Sequence, residues 1–371
     1  MTQAGGAQTL STAEKTAWLR LTRSETVGAI TFHRLIAKYK TASKALDALA
    51  HFSSAKPIKI FSQAQAEDEI AATEKIGGTM IAACEALYPL ALSAIEDSPP
   101  VITVLGNPAL LSQNGIGIVG SRNCSLNGRR FSQKLAQDLG EAGYMIASGL
   151  ARGIDTSAHE GGLKTGTVAC VAGGVDVVYP KENQTLFDQI CEQGAVVSEC
   201  ALGTQPIAQH FPKRNRIITG LSLGVVVVEA NLKSGSLISA RTAAEQGRDV
   251  FAVPGFPADP RSSGTNALIR DGAILVRGAE DVLEQLNSFL SKPPSFHPPV
   301  NGGLFEDADL YTEATVNAQE MILGQLSPSP VGVDEIARAC ELKSSVVQGT
   351  LLELEILGQV QRLPGNRVCL L

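Results

Sequence analysis

Residues 115–149, GIGIVGSRNCSLNGRRFSQKLAQDLGEAGYMIASG, decide how this chain folds. An apolar run (115–120) meets a short polar loop, then a helical segment (129–143), then a second apolar run (144–149). Continuous apolar strands are buried on both faces, and a helix between two of them lets the strands run parallel. The alternation continues outward in both directions. Strands are expected at 101–105, 167–173, 195–199, 224–230 and 249–255, and helical segments such as DTSAHEGGLKTG, NQTLFDQICEQG and LISARTAAEQGR fall between most of them. Residues 98–290 therefore read as an α/β domain with a parallel sheet covered on both faces.

The flanks read differently. Residues 1–97 form a small helical module: TAEKTAWLRLTR, TVGAITFHRLIAKYK, TASKALDALAHF and AQAEDEIAATEKIG, with Val27, Ile30, Leu35 and Ile36 recurring at helical spacing and Thr41 and Ser62 placed as N-caps. The stretch 291–304, SKPPSFHPPVNGGL, is Pro- and Gly-rich and reads as a linker. Residues 305–371 give two helices and a hairpin around PGN, a winged-helix pattern with Val346, Leu351, Leu354 and Leu357 facing inward. A length of 371 residues accommodates these domains.

The net charge of −6 is unevenly placed. Residues 305–371 hold four Lys/Arg against ten Asp/Glu, leaving 27 of each sign in residues 1–304, so the central domain is free to carry a basic patch. No apolar stretch is long enough for a membrane span, and the first 20 residues lack a basic start followed by an apolar run. Seven scattered cysteines without a C-x-x-C pair are expected to be reduced thiols of a cytoplasmic protein, with no zinc or redox site.

Ligands of open parallel sheets bind outside the carboxyl ends of the strands. The loops there are GSRNCS (120–125), SGLARGID (148–155), GGVDVVYP (173–180), SECALG (198–203), EANLKSGS (229–236) and PGFPADPRSSG (254–264). Small residues admit close approach of a ligand, and helix N-termini favour an anion, so phosphate is the expected guest. GIGIVG fits G-x-G-x-x-G, but Gly115 and Gly117 fall inside the strand and no acidic residue ends the next one, which excludes a dinucleotide site. A phosphate-binding P-loop motif is absent, so no nucleotide cofactor is expected.

Positive charge concentrates at the same edge. Arg122 and Arg152 lie in two of the loops, and Lys213, Arg214 and Arg216 crowd the start of the helix before strand 224–230, where cations oppose the dipole unless an anion compensates. A polyanion gripped by guanidinium forks and backbone amides would do so. Phe211 and Tyr179 are the local rings on which bases could stack. His159 and Asp155 are the best acid–base candidates, but no Ser-His-Asp or metal spacing accompanies them. His159 is expected to fix the loop before it, and Asp155 to cap a helix starting at Thr156.

Together YPLALSAIEDSPPVITVLG, GIVGSR, SGLARGIDTSAH, FPKRNRIITGLS, SGSLISARTAAEQGRDVFAVPG and GTNALIRDGA resemble the DNA processing protein A (Smf/DprA) family, almost continuously from about 88 to 276. The resemblance implies an extended Rossmann-like core between a helical (SAM-like) and a winged-helix domain. It further implies a homodimer that binds single-stranded DNA without ATP, is not an enzyme, and loads the RecA recombinase in natural transformation. The family's DNA pocket maps onto Gly120, Ser121, Arg122, Gly149, Arg152, Phe211, Lys213, Arg214, Asn215, Arg216, Ser234, Gly235 and Ser236. The N-terminal module departs from the family in having RSETVGAI where a glycine-rich turn is common. Glu353 and Glu355 in the second winged-helix helix, against a single Lys343, speak for a protein contact there instead of duplex reading.

Two rival readings are enzymes. A lysine-decarboxylase-like (LOG) nucleotide-processing enzyme shares a related core, but its P-G-G-x-G-T-x-x-E signature is replaced by NLKSGSLISARTAAEQG. A nuclease would need clustered carboxylates for its metal, which the sequence does not offer.

Overall fold

The computed structural model describes residues 10–51, 58–290, 314–327, 329–363 and 365–371. The expected linker at 291–304 lies outside these residues. The chain divides into two compact units, one spanning Glu67–Phe296 and the other joining Ser11–Ala66 to His297–Leu371.

In chain order the helical start comprises α1 (Thr12–Arg23), α2 (Ala29–Tyr39), α3 (Ala42–His51) and α4 (Gln63–Lys75). The sheet region follows with β1 (Thr79–Ala82), α5 (Leu90–Ser93), β2 (Val101–Gly106), β3 (Gly115–Val119), α6 (Leu126–Glu141), β4 (Met145–Ser148), α7 (Ile154–Gly162) and β5 (Thr167–Cys170). It continues through α8 (Gln184–Gln193), β6 (Ala195–Ser198), α9 (His210–Gly220), β7 (Ser222–Val227), α10 (Ser236–Glu245), β8 (Asp249–Ala252), α11 (Ser263–Arg270), β9 (Ile274–Leu275) and α12 (Ala279–Leu290). The tail holds α13 (Ala314–Gly324), β10 (Val331–Gly332), α14 (Val333–Ala339), α15 (Ser344–Ile356), β11 (Val360–Leu363) and β12 (Arg367–Leu370).

The nine-stranded sheet has the order β1-β2-β6-β5-β4-β3-β7-β8-β9. From β6 to β9 every pairing is parallel, whereas β2 runs antiparallel to both β1 and β6. The reason lies in the connection. Between β2 and β3 there is only a short 3-10 turn (Pro108–Ser112) and no helix to carry the chain back to the starting edge. A parallel partner needs such a crossover. Because β1 pairs with β2, the sheet domain begins before residue 98, and the expected boundary at 97/98 moves toward the N-terminus.

Period-two alternation serves both faces. Val225 and Val227 join the cluster containing Ile217, Ile218, Leu92 and Ile95, while Val226 and Val228 join Ile116, Ile118, Leu135 and Phe251 on the other face. Each of these valines is at most 3% exposed, and its burial contributes about 1.5 kcal/mol. α6 and α7 pack closely against each other on one face. A Cβ at Gly161 of α7 would overlap the backbone carbonyl oxygen of Gln133 on α6.

In the second unit, Ser62 and Gln65 form a reciprocal capping box on α4, and Thr41 Oγ1 accepts from Lys44 N (3.3 Å) to cap α3, both as the residue types imply. Trp18 packs against Phe32 with ring centroids 4.8 Å apart and the planes tilted by 59°, and Leu35 is fully buried. Ile30, expected inside, is 37% exposed; Phe32 takes the inward place. The winged helix packs Val347, Leu351 and Leu354 against Ile322, Val333, Ile336 and Val368. Val346 and Leu357, expected inside, are half-buried, because the i, i+4, i+7 stripe starts at Val347.

Helices α2 and α15 meet in this unit. Glu353 and Glu355 of α15 receive Lys38 (2.6 Å) and Arg34 (3.0 Å) from α2, and Glu353 is buried. Ser11–Ala66 of the domain expected for 1–97 thus shares one compact unit with the domain expected for 305–371, and Glu353 and Glu355 of α15 face a helix of the same chain.

The packing of α6 on α7 yields a sharp expectation. In a helix Gly→Ala would ordinarily stabilise by about 1 kcal/mol. At Gly161 the backbone of α6 would have to move, so Gly161→Ala is expected to lower stability by about 1–3 kcal/mol in urea unfolding.

Candidate nucleic-acid interface

The strand order reverses at β3, with β4, β5 and β6 on one side and β7 and β8 on the other. The crevice outside the carboxyl ends of β3 and β7 is the place where such sheets bind ligands. Glu229, just past β7, ties the two sides together by accepting from Ser125 N (2.9 Å) and from its hydroxyl. Ser125 also caps α6 through Gly128 N (2.9 Å).

The SGLARGID loop after β4 is fixed from below. Leu150 has a left-handed backbone (φ 54°), a strained conformation for a side-chain-bearing residue. Its N–H donates to His159 Nε2 (3.3 Å), and its carbonyl accepts from Asn183 Nδ2 (2.9 Å). Because Nε2 accepts, the His159 proton sits on Nδ1 and is donated to Thr167 Oγ1 (2.7 Å). His159 therefore holds the loop, as expected. Burial, with Arg214 as a second cause, lowers its pKa to about 3, so the ring stays neutral.

Asp155 departs from expectation. α7 begins at Ile154, because Gly153 (φ 81°) turns the chain straight into the helix. The Asp155 carboxylate accepts from Gly149 N (3.2 Å) and Ala151 N (3.4 Å) of the preceding loop instead of capping a helix at Thr156. Burial raises its pKa to about 6 against the pull of Arg214 and these amides.

The cation cluster on α9 splits. At 3.6 residues per turn, Arg214 and Arg216 lie about 200° apart and point to different sides. Arg214 is 6% exposed, with its guanidinium where a Cβ of residue 149 would be, so only glycine fits there. Its Nε has no hydrogen-bond partner among the described residues, and burial lowers its pKa while Asp155 opposes the shift. Arg216 is a correction to the expected strand contact. Its side chain is 11% exposed and pairs with Glu199 and with Asp97 (3.4 Å), and it also donates to the Asp97 carbonyl. Lys213 is exposed at the rim, and Asn215 is half-buried.

The two candidate rings lie together. Phe211 lies 5.9 Å from Tyr179, centroid to centroid, and carries the Arg122 guanidinium at 5.2 Å and that of Arg214 at 5.9 Å. Tyr179 is 48% exposed. An aromatic pair flanked by cations offers a base a stacking face and its phosphate a charge. Gly120 and Ser121 lead into exposed Arg122, and Ser121 Oγ accepts from Asn123 N (3.2 Å). Arg152 is exposed and pairs with Glu182 (2.7 Å), a surface contact weak enough to exchange for a phosphate. Ser234, Gly235 and Ser236 sit at the start of α10, where the two hydroxyls bond each other (2.7 Å).

Sequence reasoning missed Asn183 and Glu229, whose roles depend on partners far along the chain, and also Arg129 and Arg130 of α6. These two arginines share a groove of ≈ 440 Å³ with Arg122 and Arg152.

The split on α9 predicts unequal responses to charge removal. Arg216→Ala takes the guanidinium from two carboxylates and is expected to destabilise by about 3 kcal/mol. Lys213→Ala should change stability by less than about 0.5 kcal/mol in the same urea titration.

Comparison with known proteins places the chain in a family. The family model for DNA recombination-mediator protein A matches residues 79–287, the DprA-like N-terminal HHH domain matches 12–72, and the DprA winged helix domain matches 307–366. Protein Smf of Escherichia coli is 38% identical over 311 residues, covering 83% of this chain and 82% of that protein. DNA processing protein DprA of Streptococcus pneumoniae is 48% identical over 200 residues, 53% of this chain and 71% of that one. The X-ray structure of the S. pneumoniae protein superposes with a TM-score of 0.55 at 41% identity, covering 60% of this chain and 82% of that one. DNA processing protein A of Helicobacter pylori, whose structure is described for its single-stranded DNA binding mode, superposes with a TM-score of 0.53 at 29% identity, covering 57% of this chain and 96% of that one. On these matches, and on a core that carries the loops quoted above, the chain belongs to the DprA/Smf family of DNA processing proteins.

Proposed function

We propose that this chain captures single-stranded DNA along the carboxyl edge of its sheet, as a non-catalytic mediator of DNA recombination. The observation that carries the reading is the Tyr179–Phe211 pair with Arg122 over the Phe211 ring, on a helix start that also exposes Lys213. Stacking tolerates any base, and the cations take the backbone, so the site suits an unpaired strand of any sequence. The single-stranded DNA binding mode described for the H. pylori relative supports the same reading.

A non-catalytic role fits the two acid–base candidates. His159 and Asp155 are both enclosed, and each is occupied by backbone amides of the loop it holds. Family membership carries the remaining expectations: the chain acts as a homodimer and passes the strand to the RecA recombinase in natural transformation.

Anisotropy titration with single- and double-stranded oligonucleotides, without nucleotide, tests the proposal. With Arg122, Arg152 and Lys213 each meeting a phosphate, log K for the single strand should fall with log salt at a slope of about −2. Arg122→Ala combined with Lys213→Ala should weaken single-strand binding about tenfold or more and flatten the slope by about 1.4. Unchanged binding by a folded double variant would overturn the reading.

The interior charge under the rim adds a pH signature. Within that cluster His159 stays neutral and burial pushes the Cys170 thiol up to about 12, which leaves Asp155 as the group that titrates near neutrality. A bound phosphate favours the protonated carboxyl, since Arg214 then loses its compensating charge. Strand affinity should therefore rise severalfold as pH falls through about 6, and Asp155→Asn should abolish that step.

A further inference from the structure

The groove between α6 and α7 opens from the rim at Arg122 and is lined by Arg122, Arg129, Arg130 and Arg152, with Glu160 as the acidic side chain in its wall. Arg122, Arg129 and Arg130 have no salt bridge among the described residues, and Arg152 has only the exposed pair with Glu182. Arg129 and Arg130 are both exposed and lie four and five residues past the N-cap Ser125, about 6–7.5 Å along the helix. The first turn of α6 itself holds no acidic residue, and the Glu229 carboxylate at this helix end is held by Ser125, leaving Arg129 and Arg130 without an acidic partner on their own helix. In a chain with net charge −6, four guanidinium groups in one concavity repel one another unless an anion is bound.

We propose that this groove carries the captured strand onward from the rim, with Arg129 and Arg130 binding the phosphates of the nucleotides next to those stacked at Phe211 and Tyr179. The inference rests on the strand-capture reading above and extends it, because Arg122 belongs to both sites and makes them one continuous track. A polyanion fits better than a single phosphate, since four arginines line a groove of ≈ 440 Å³, more space than one phosphate fills. The opening at Arg122 also gives a strand already held at the rim a direct way in. Arg130 and Arg129 fall on the exposed side of α6, so their removal leaves the core packing of Leu135, Ala136 and Leu139 intact.

The test is a titration of the full chain with fluorescent oligothymidylates of graded length. The wild-type chain should bind more tightly as the strand lengthens past the rim. The variant Arg129→Ala/Arg130→Ala should match wild type on the shortest oligonucleotide that binds, yet lose on the order of five- to tenfold on long ones, with a salt slope shallower by about 1.4. Arg129→Lys/Arg130→Lys should restore most of the length-dependent gain. Long-strand affinity and salt slope equal to wild type in the alanine variant would overturn the groove while leaving the rim intact. An equal loss at every length would also contradict it, since the arginines would then act at the rim itself. Loss of short-strand binding in Arg122→Ala, measured in parallel, shows that the rim reading holds; its absence would remove that reading and the groove together.

Discussion

The site depends on one guanidinium placed where water can barely reach it. Arg214 rises from α9 into the space under the SGLARGID loop, against Gly149, near Asp155, and below the ring of Phe211. A buried cation is costly unless it is compensated, and Asp155 supplies the opposite charge from the neighbouring helix. Arg214 thereby brings α9 against the loop before α7 and, through Phe211, toward Tyr179. The outer cations of the rim, Arg122 and Lys213, are exposed.

The same helix shows how a basic run can hold two kinds of charge. Arg216, about 200° round from Arg214, is used for structure, tying α9 to Asp97 after α5 and to Glu199 after β6. Lys213 stays in solvent. Three neighbouring cations in the sequence thus become a strut, a wedge and a ligand group. Counting all three as phosphate contacts would overstate the salt dependence of binding.

Much of this was legible in the residues. The seven apolar runs from 101 to 255 all became strands, and the helices expected between them formed, because burial on both faces leaves little choice to a strand such as VVVV. His159 was readable as a loop anchor, and Phe211 and Tyr179 as the local rings for stacking, while their pairing came with the structure. What was not legible depended on partners distant in sequence. β1 gives little local signal as TMIA and becomes a strand by pairing with β2. The antiparallel direction of β2 follows from a missing helix. Arg129 and Arg130 looked like ordinary helix surface until α7 closed the groove beside them. Glu353 and Glu355 argued against duplex reading by charge alone, but their partners, Lys38 and Arg34, stand more than three hundred residues earlier.

The described residues of the acidic tail and of the helical start form a body of their own, in which Glu353 and Glu355 pair with Lys38 and Arg34. The most direct measurement is photo-crosslinking of a halogenated-uracil single strand to the full chain, followed by mapping of the attached peptides. The account predicts adducts on the peptides that carry Tyr179 and Phe211. Adducts confined to α15 and the wing, with none at the sheet edge, would contradict it.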